Sequence, residues 1–230
     1  GREQSGNVED RRSMGGKKMV AGGTIGTLAI VVIVWLLGGN PSQLINSLQS
    51  SGSGAGAADP AVIQAEEELR EFSSVTLKDT EDIWNSLFNE SGKTYREPTL
   101  VLFSGSAESA CGYSSSATGP FYCPGDEKVY IDLSFLEQLQ QRLGAEGDFA
   151  MAYIIAHEVG HHVQKQLGIT DQMNELRGRL SEEEYNKYSV KLELQADFLA
   201  GIWAHHAQRT KNILEEGDIE EAINAAAAVG

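Results

Sequence analysis

The chain has 230 residues, 41% of them hydrophobic, which is enough for one globular domain with a sizeable core and additional segments. Its formal net charge is −15, from 33 acidic side chains against 18 basic ones. An acidic protein repels a phosphate backbone, so the composition excludes nucleic acid as an expected partner.

The first residues predict a membrane anchor. Residues 1–18 are polar and partly basic, whereas residues 19–39 contain no charged side chain. A membrane-crossing helix needs about 20 apolar residues, and a signal peptide has a shorter apolar core. We therefore predict a retained transmembrane helix at 19–39, with a cleaved signal as the less favoured alternative. Basic residues precede this segment and the next one is Arg70, so the positive-inside rule predicts a cytoplasmic tail at 1–18.

Residues 40–59 are rich in Ser, Gly and Ala, which is typical of a flexible linker. The folded domain is predicted at 60–230. Its first elements are two amphipathic helices, at 61–72 and 79–91, the second with Asp79 as its N-cap.

Two strands are predicted next, at 98–105 and 127–135, and in the second of them apolar and polar residues alternate. The two cysteines of the chain, Cys111 and Cys123, lie between them. Their spacing does not fit a zinc site and there is no second pair. Outside the membrane, in an oxidising compartment, we expect them to form a disulfide; in the cytosol they would remain free thiols.

The stretch HEVGH, at residues 157–161, carries the strongest chemical signal. His157 and His161 lie one helical turn apart, on one face, as two ligands of one Zn²⁺ require. Glu158 lies beside them, where its carboxylate could act on a metal-bound water. This is the HExxH signature of zinc peptidases. The alternative is a helix with a partly exposed histidine pair; apolar residues at helical spacing on both sides argue for a half-buried helix instead.

A third ligand is predicted on a second helix, which opens with a capping box at Ser181 and Glu184. Here Glu193 and Asp197 are four residues apart. Glu193 would complete a His₂Glu zinc site that leaves a fourth position for water. Asp197 would accept the distal N–H of a ligating histidine. Two surface carboxylates on an acidic helix are the alternative.

With these motifs the chain resembles the putative neutral zinc metallopeptidase family, bacterial single-pass membrane proteins of the gluzincin type. The resemblance covers most of the chain and rests on the following stretches: NVEDRR (7–12), GPFYCP (119–124), VYIDLSF (129–135), the HEVGHH region (147–169), LELQAD (192–197) and LEEGDIEEAINAA (214–226).

The resemblance implies an α+β, mostly helical, zincin-like metalloprotease domain with a small antiparallel sheet, preceded by the transmembrane helix. It implies an endopeptidase with one Zn²⁺ per chain, in which Glu158 is the general base for the attack of a zinc-activated water on a peptide bond. The expected location is the bacterial inner membrane, contacted through residues 19–39, with the catalytic domain periplasmic or extracellular.

In zinc peptidases the strand before the active-site helix is commonly a sheet edge that pairs with extended substrate. By resemblance this role is expected of Val129, Tyr130, Ile131 and Asp132, although an ordinary internal strand is equally compatible with the pattern. Family members continue beyond the position of Gly230, so we expect the chain to be C-terminally incomplete. The alternative function is a zinc-binding pseudoprotease that acts as an anchored interaction module. His162, about 100° round the helix from His161, is expected to pack or hydrogen-bond rather than bind metal.

Overall fold

The computed structural model describes residues 2–12, 60–115, 119–143 and 148–229, which contain six strands and six helices. The strands are β1 (Val8–Asp10), β2 (Thr99–Phe103), β3 (Ser106–Ser109), β4 (Gly112–Ser115), β5 (Phe121–Cys123) and β6 (Lys128–Asp132). The helices are α1 (Pro60–Glu90), α2 (Leu133–Leu143), α3 (Asp148–Gln166), α4 (Ile169–Arg177), α5 (Glu182–Lys211) and α6 (Asp218–Val229). The described part is therefore α+β and mostly helical, as predicted.

The main sheet has four strands in the order β1-β2-β6-β5. It is mixed: β1 and β6 both run parallel to β2, and only β5 runs antiparallel to its neighbour β6. The prediction of a small antiparallel sheet is therefore wrong for this sheet, although β3 and β4 form a separate antiparallel pair. The cause is the long connection from β2 to β6, because a crossover of this kind returns the chain in the same direction.

The two central strands are buried on both faces. Leu100 and Leu102 of β2 face the helices, and Val101 and Phe103 face the side covered by the β3–β4 hairpin. All of these side chains are at most 1% exposed. A strand covered on both faces needs a continuous apolar run, and TLVLF supplies one.

The two helices predicted at 61–72 and 79–91 are one helix of 31 residues, α1. The polar residues between them do not break it because Ser73 donates its hydroxyl hydrogen to the carbonyl of Leu69, and Thr80 donates to Leu77, within the helix itself. Asp79 is therefore not an N-cap. It lies buried in the helix interior, where Arg2 and Lys211 pair with its carboxylate.

The helix α3 occupies the centre of the domain and packs against α1, α5 and α6. Thirteen of its 19 residues are buried. It begins at Asp148 and ends at Gln166, and the chain turns into α4 at Gly168, whose φ of 80° favours glycine. The predicted capping box of Ser181 and Glu184 opens α5.

The predicted disulfide is confirmed. Cys111 and Cys123 are bonded with an S–S distance of 2.04 Å, and they connect the turn between β3 and β4 to the last residue of β5.

Residues 2–12 lie on this domain, where residues 8–10 form the first strand of the sheet. The predicted transmembrane helix at 19–39 and the linker at 40–59 are outside the described residues. Among the helices that the structure does describe, none combines the length and the apolar character that a membrane crossing requires.

Candidate metal centre

Two helices bring the three predicted ligands together. His157 and His161 lie on one face of α3, and Glu193 lies opposite them on α5, with one ligand atom of each within 4.8 Å of the others. The Nε2 atom of His157 is 3.4 Å from Oε2 of Glu193, and that of His161 is 3.3 Å from the same oxygen. Glu193 remains half-exposed, so the cluster opens to solvent on the α5 side.

These distances fit a zinc ion. Tetrahedral Zn²⁺ with bonds of about 2.0–2.2 Å to nitrogen and carboxylate oxygen holds neighbouring ligand atoms about 3.3–3.6 Å apart. The donor set of two imidazoles and one carboxylate is the one that zinc hydrolases use with a fourth position free. The residues present therefore fit a zinc ion with three protein ligands and one position left open.

Asp197 lies beside the first histidine, on the side away from Glu193. The Nδ1–H of His157 donates to Oδ1 of Asp197 at 2.8 Å, which leaves Nε2 on the side of Glu193. The same oxygen accepts the hydroxyl hydrogen of Tyr153 at 3.0 Å. A carboxylate that holds the distal N–H of a ligand fixes its tautomer and raises its basicity.

Gln164 makes the corresponding hydrogen bond to the second histidine, His161. This role of Gln164 is not predicted from the sequence. The Nδ1–H of His161 donates to Oε1 of Gln164 at 2.9 Å. The amide nitrogen of Gln164 donates to the carbonyl of Leu192 at 2.7 Å, which fixes the orientation of the amide and ties α3 to the turn of α5 that carries Glu193. Gln164 is fully buried, so these hydrogen bonds are shielded from water.

The charges in the cluster are strongly coupled. Burial opposes protonation of both histidines, but the carboxylates of Glu193 and Glu158 outweigh it and raise the pKa of His161 to about 9, and they also raise the pKa of His157. Hydrogen bonds from the two histidines in turn hold the pKa of Glu193 well below its usual range. The carboxylates of Glu193 and Glu158 thus give the space between the imidazoles a negative potential, which favours the binding of a cation.

Glu158 lies beside the ligands, and in a different environment. It is 8% exposed, and burial raises the pKa of its carboxyl group, partly offset by the two histidines and by a hydrogen bond from the backbone N–H of Tyr122. A buried carboxylate beside a metal site, with its pKa raised in this way, is placed as a general base requires.

His162 is not part of the metal cluster. Its Nδ1 accepts the hydroxyl hydrogen of Tyr122 at 3.0 Å, and its Nε2–H donates to the carbonyl of Arg96 at 2.6 Å. Burial lowers the pKa of His162, which suits a neutral ring with one donor and one acceptor nitrogen. The residue joins β5 and the segment before β2 to α3, in agreement with the predicted packing role.

The candidate substrate strand is internal, which corrects the expected sheet edge at residues 129–132. β6 lies between β2 and β5, and the side chains of Val129, Tyr130, Ile131 and Asp132 are at most 1% exposed. The carboxylate of Asp132 accepts backbone N–H groups from Ser134 and Gly105, each at 2.9 Å, so it caps α2 and holds the neighbouring turn. The reason for the error is β5, a three-residue strand that occupies the position beside β6.

β5 therefore forms the edge on this side of the main sheet, as far as the chain is described. Since β5 pairs with β6 on one side, the Tyr122 N–H that reaches Glu158 points away from β6. The outer edge of β5 thus faces the candidate catalytic carboxylate.

The two ligand-bearing helices touch at Gly160. A methyl group at this position would lie 3.0 Å from the carbonyl oxygen of Ala196 and 3.3 Å from its Cα, both in the backbone of α5. Most Cβ contacts are longer, so a side chain at this position would push α5 away from α3, and glycine lets the two helices approach to the distance at which Glu193 reaches both histidines.

We expect Gly160→Ala to destabilise the domain by about 1–3 kcal/mol, as overpacking commonly does, and to weaken zinc binding. The matched control is Gly201→Ala on α5, where a new Cβ meets nothing within 4 Å. There the gain in helix propensity should stabilise by about 0.5–1 kcal/mol. Urea unfolding and zinc titration measure both effects. Equal behaviour of the two variants would contradict the close helix contact.

The fold and the cluster together define a class of metal site. One helix carries the HExxH motif with two histidines, a following helix carries a carboxylate as the third ligand, and a buried glutamate lies beside them. The comparisons with known proteins agree with this class. The model of the family described as "Putative neutral zinc metallopeptidase" matches residues 1–230, and the chain belongs to that family.

Relatives occur in distant bacteria. The chain is 44% identical to the Escherichia coli K12 protein named "Uncharacterized protein YpfJ" over 236 aligned residues, covering 100% of this chain and 82% of that protein. It is 40% identical over 146 residues to the Mycobacterium tuberculosis H37Rv protein named "Uncharacterized protein Rv2575", covering 59% of this chain and 48% of that protein. No solved structure matches the chain.

Three residues of the site were not singled out from the sequence. Tyr153 precedes His157 by one helical turn, and Gln164 follows His161 by three residues, so helical spacing could have placed both beside the ligands. Tyr122 could not be found in this way, because its contacts with Glu158 and His162 depend on the fold of a loop.

Proposed function

We propose that the protein is a zinc-dependent endopeptidase. The observation that carries this proposal is the joint geometry of His157, His161 and Glu193, at separations suited to tetrahedral zinc, with the buried carboxylate of Glu158 beside them. Membership of a zinc metallopeptidase family supports it. A purely structural zinc site would have no use for a free carboxylate in this position.

His157, His161 and Glu193 would hold Zn²⁺, which when bound supplies a Lewis acid that polarises a carbonyl and lowers the pKa of water toward about 7. Glu158 accepts the proton of the attacking water and delivers it to the leaving amine nitrogen. Its raised pKa, caused by burial, brings it closer to the pH at which both transfers are efficient. Asp197 and Gln164 keep the two imidazoles in the tautomers that present Nε2.

The substrate pairs with β5 in this proposal, rather than with β6. The outer edge of β5 faces Glu158, and an extended peptide beside a strand edge gains backbone hydrogen bonds whatever its sequence. The substrate class is accordingly an extended or locally unfolded polypeptide. The disulfide at Cys123 and the hydrogen bond from Tyr122 to His162 hold this edge in position.

We further propose that residues 19–39 attach the enzyme to the bacterial inner membrane. The disulfide supports an oxidising, exported location of the domain, because such bonds are rare in the reducing cytosol.

Metal removal tests the function directly. We expect the full chain, purified with its disulfide intact, to cleave an unstructured protein such as reduced casein, to lose this activity on treatment with a chelator, and to regain it with one equivalent of Zn²⁺. Mg²⁺ should not restore it, since imidazole-rich sites favour zinc. Cleavage that persists in the chelator would contradict the proposal, and so would a zinc-loaded protein inert toward a broad library of peptides.

A further inference from the structure

The two helix faces that carry the metal ligands continue beyond the metal site. On α3, Phe149 and Tyr153 precede His157 at intervals of four residues. On α5, Gly201 follows Asp197 at the same interval. Residues four apart lie on one face of a helix, one turn from each other. The faces of α3 and α5 that form the metal cluster therefore also form a groove that extends past His157.

This groove contains a cavity of about 500 Å³, and α6 forms its third side. Cavities of about 300–1,000 Å³ are typical of ligand sites. The polar groups of the lining are the hydroxyl of Tyr153 and side chains of α5, whereas the rest of the lining is mostly apolar. It is formed by α3, by α5, by the loop before α6 and by α6 itself, and it includes Phe149, Gly201, Leu214, Ile219 and Ile223.

The α6 side of the cavity is apolar and open. Ile219 and Ile223 line it and are 53% and 64% exposed. Exposed apolar side chains that cluster at a groove mark a binding site. Among the described residues of the lining, Asp197 supplies the one carboxylate, and its Oδ1 already accepts hydrogen bonds from His157 and Tyr153. The cavity therefore favours an uncharged, apolar group.

The cavity lies within reach of a polypeptide bound at the metal site. Tyr153 lines it and is one helical turn from His157, or about 5.4 Å along α3. The hydroxyl of Tyr153 and the imidazole of His157 bond the same oxygen of Asp197, at 3.0 and 2.8 Å. An extended chain advances about 3.3 Å per residue. The side chain of a residue within about two positions of the cleaved bond can therefore enter the cavity.

We propose that this cavity is the specificity pocket of the peptidase, and that it binds a large uncharged apolar side chain of the substrate, such as leucine or phenylalanine, beside the cleaved bond. The proposal rests on the proposed endopeptidase function, and it adds a side-chain preference to a substrate whose backbone pairs with β5. Gly201 is the specificity-determining residue, because a Cβ at this position meets nothing within 4 Å and the cavity stays open on the α5 side.

Filling the cavity from α5 tests the proposal. Gly201→Leu should fold and load zinc like the parent protein, since its Cβ has free space and leucine favours a helix more than glycine does. The full chain is assayed on peptides that differ at one residue, which is Leu, Phe, Ala, Lys or Asp, and mass spectrometry identifies the cleaved bond. For the parent protein we expect kcat/KM for the Leu and Phe peptides to exceed that for the Ala peptide at least about tenfold.

In Gly201→Leu the ratio of kcat/KM for the Leu peptide to that for the Ala peptide should fall to about one. The matched control is Asn186→Leu, which adds the same side chain at an exposed position of α5 outside the cavity and should keep the parent ratio. A parent protein without apolar preference would overturn the proposal. A ratio that is the same in Gly201→Leu as in the parent would also overturn it.

A charge on the α6 side of the cavity provides a second variant. Ile223 is 64% exposed, so Ile223→Asp should leave the core intact. We expect the variant to disfavour the Leu peptide and to favour the Lys peptide, which raises the ratio of kcat/KM for Lys over Leu at least about tenfold. The control Ile63→Asp makes the same change on α1, where the isoleucine is 54% exposed, and should keep the parent ratio. Equal ratios in the two variants would contradict the pocket.

Binding separates failure of the pocket from failure of the endopeptidase function. Zinc-loaded Glu158→Gln should bind the same peptides without cleaving them, and fluorescence anisotropy of labelled peptides gives Kd. We expect the Leu peptide to bind at least about tenfold more tightly than the Ala peptide, and we expect equal Kd values once Gly201→Leu is added. If the parent protein cleaves no peptide, the endopeptidase function fails, and the binding ratio alone then decides on the pocket. Equal Kd values for the Leu and Ala peptides in Glu158→Gln would overturn it.

Discussion

Replacing Glu158 by glutamine is expected to reduce kcat by about 10²- to 10⁴-fold, the contribution typical of a general acid–base group. Glutamine has the same shape and can still accept the hydrogen bond from the Tyr122 backbone that Glu158 accepts. It cannot take a proton from water at neutral pH. The fold and the metal should therefore be unaffected, and KM should change little, because the residue acts on the transition state rather than on substrate binding.

The matched control is Glu183→Gln, which makes the same chemical change at an exposed position in the first turn of α5. Activity, zinc content and Tm should all remain at the level of the unmodified protein. Retained activity of Glu158→Gln would remove this residue as the base. If the parent protein binds zinc but has no activity, and no variant changes this, the result would favour the pseudoprotease alternative.

Much of the candidate site could be predicted because it depends on the repeat of the α-helix, about 3.6 residues per turn. Ligands on a helix recur every three or four residues, so the positions of His157, His161 and Asp197 relative to their helices follow from sequence spacing alone. What spacing does not give is how two helices meet. The structure supplies that step through Gly160, which permits close contact with Ala196, and through Gln164, which bonds to Leu192.

The sheet was predicted less well, for a physical reason. Strands β1 and β5 have three residues each, too few to display a period of two, and they form only because longer partners are present. Their positions depend on contacts across the chain: β1 is joined to β2 from about 90 residues away in sequence, and β5 is held by the disulfide. The sequence therefore predicts the sheet edge at β6, whereas β5 occupies it.

The break predicted near Asp79 failed for a related reason. Aspartate favours a helix start when its side chain can bond the backbone of its own first turn. In α1 the carboxylate instead meets Arg2 and Lys211, which come from opposite ends of the described chain. Tertiary charge pairing thus overrides a local capping preference, and it links the N-terminal segment to the end of α5.

Loss of the metal is the second large effect that we expect. His157→Ala removes one of three protein ligands, and the remaining His161 and Glu193 should not retain zinc through dialysis at neutral pH. Elemental analysis should then fall from one zinc per chain to below one tenth. The control His205→Ala changes an exposed histidine on α5 that lies outside the three-residue cluster, and it should keep one zinc per chain.

Stability provides an independent measurement of the same site. A ligand that binds only the native state adds about 4 kcal/mol when its free concentration is a thousand times Kd, which corresponds to a rise in Tm of about 10 °C for a domain of this size. Zinc should raise the Tm of the parent protein and of His205→Ala by this amount and leave His157→Ala unchanged. Because the amide of Gln164 joins α3 to the Leu192 carbonyl of α5 without the metal, the helices should remain folded in the variant. A zinc-dependent rise in His157→Ala equal to that of the parent would place the metal elsewhere in the protein.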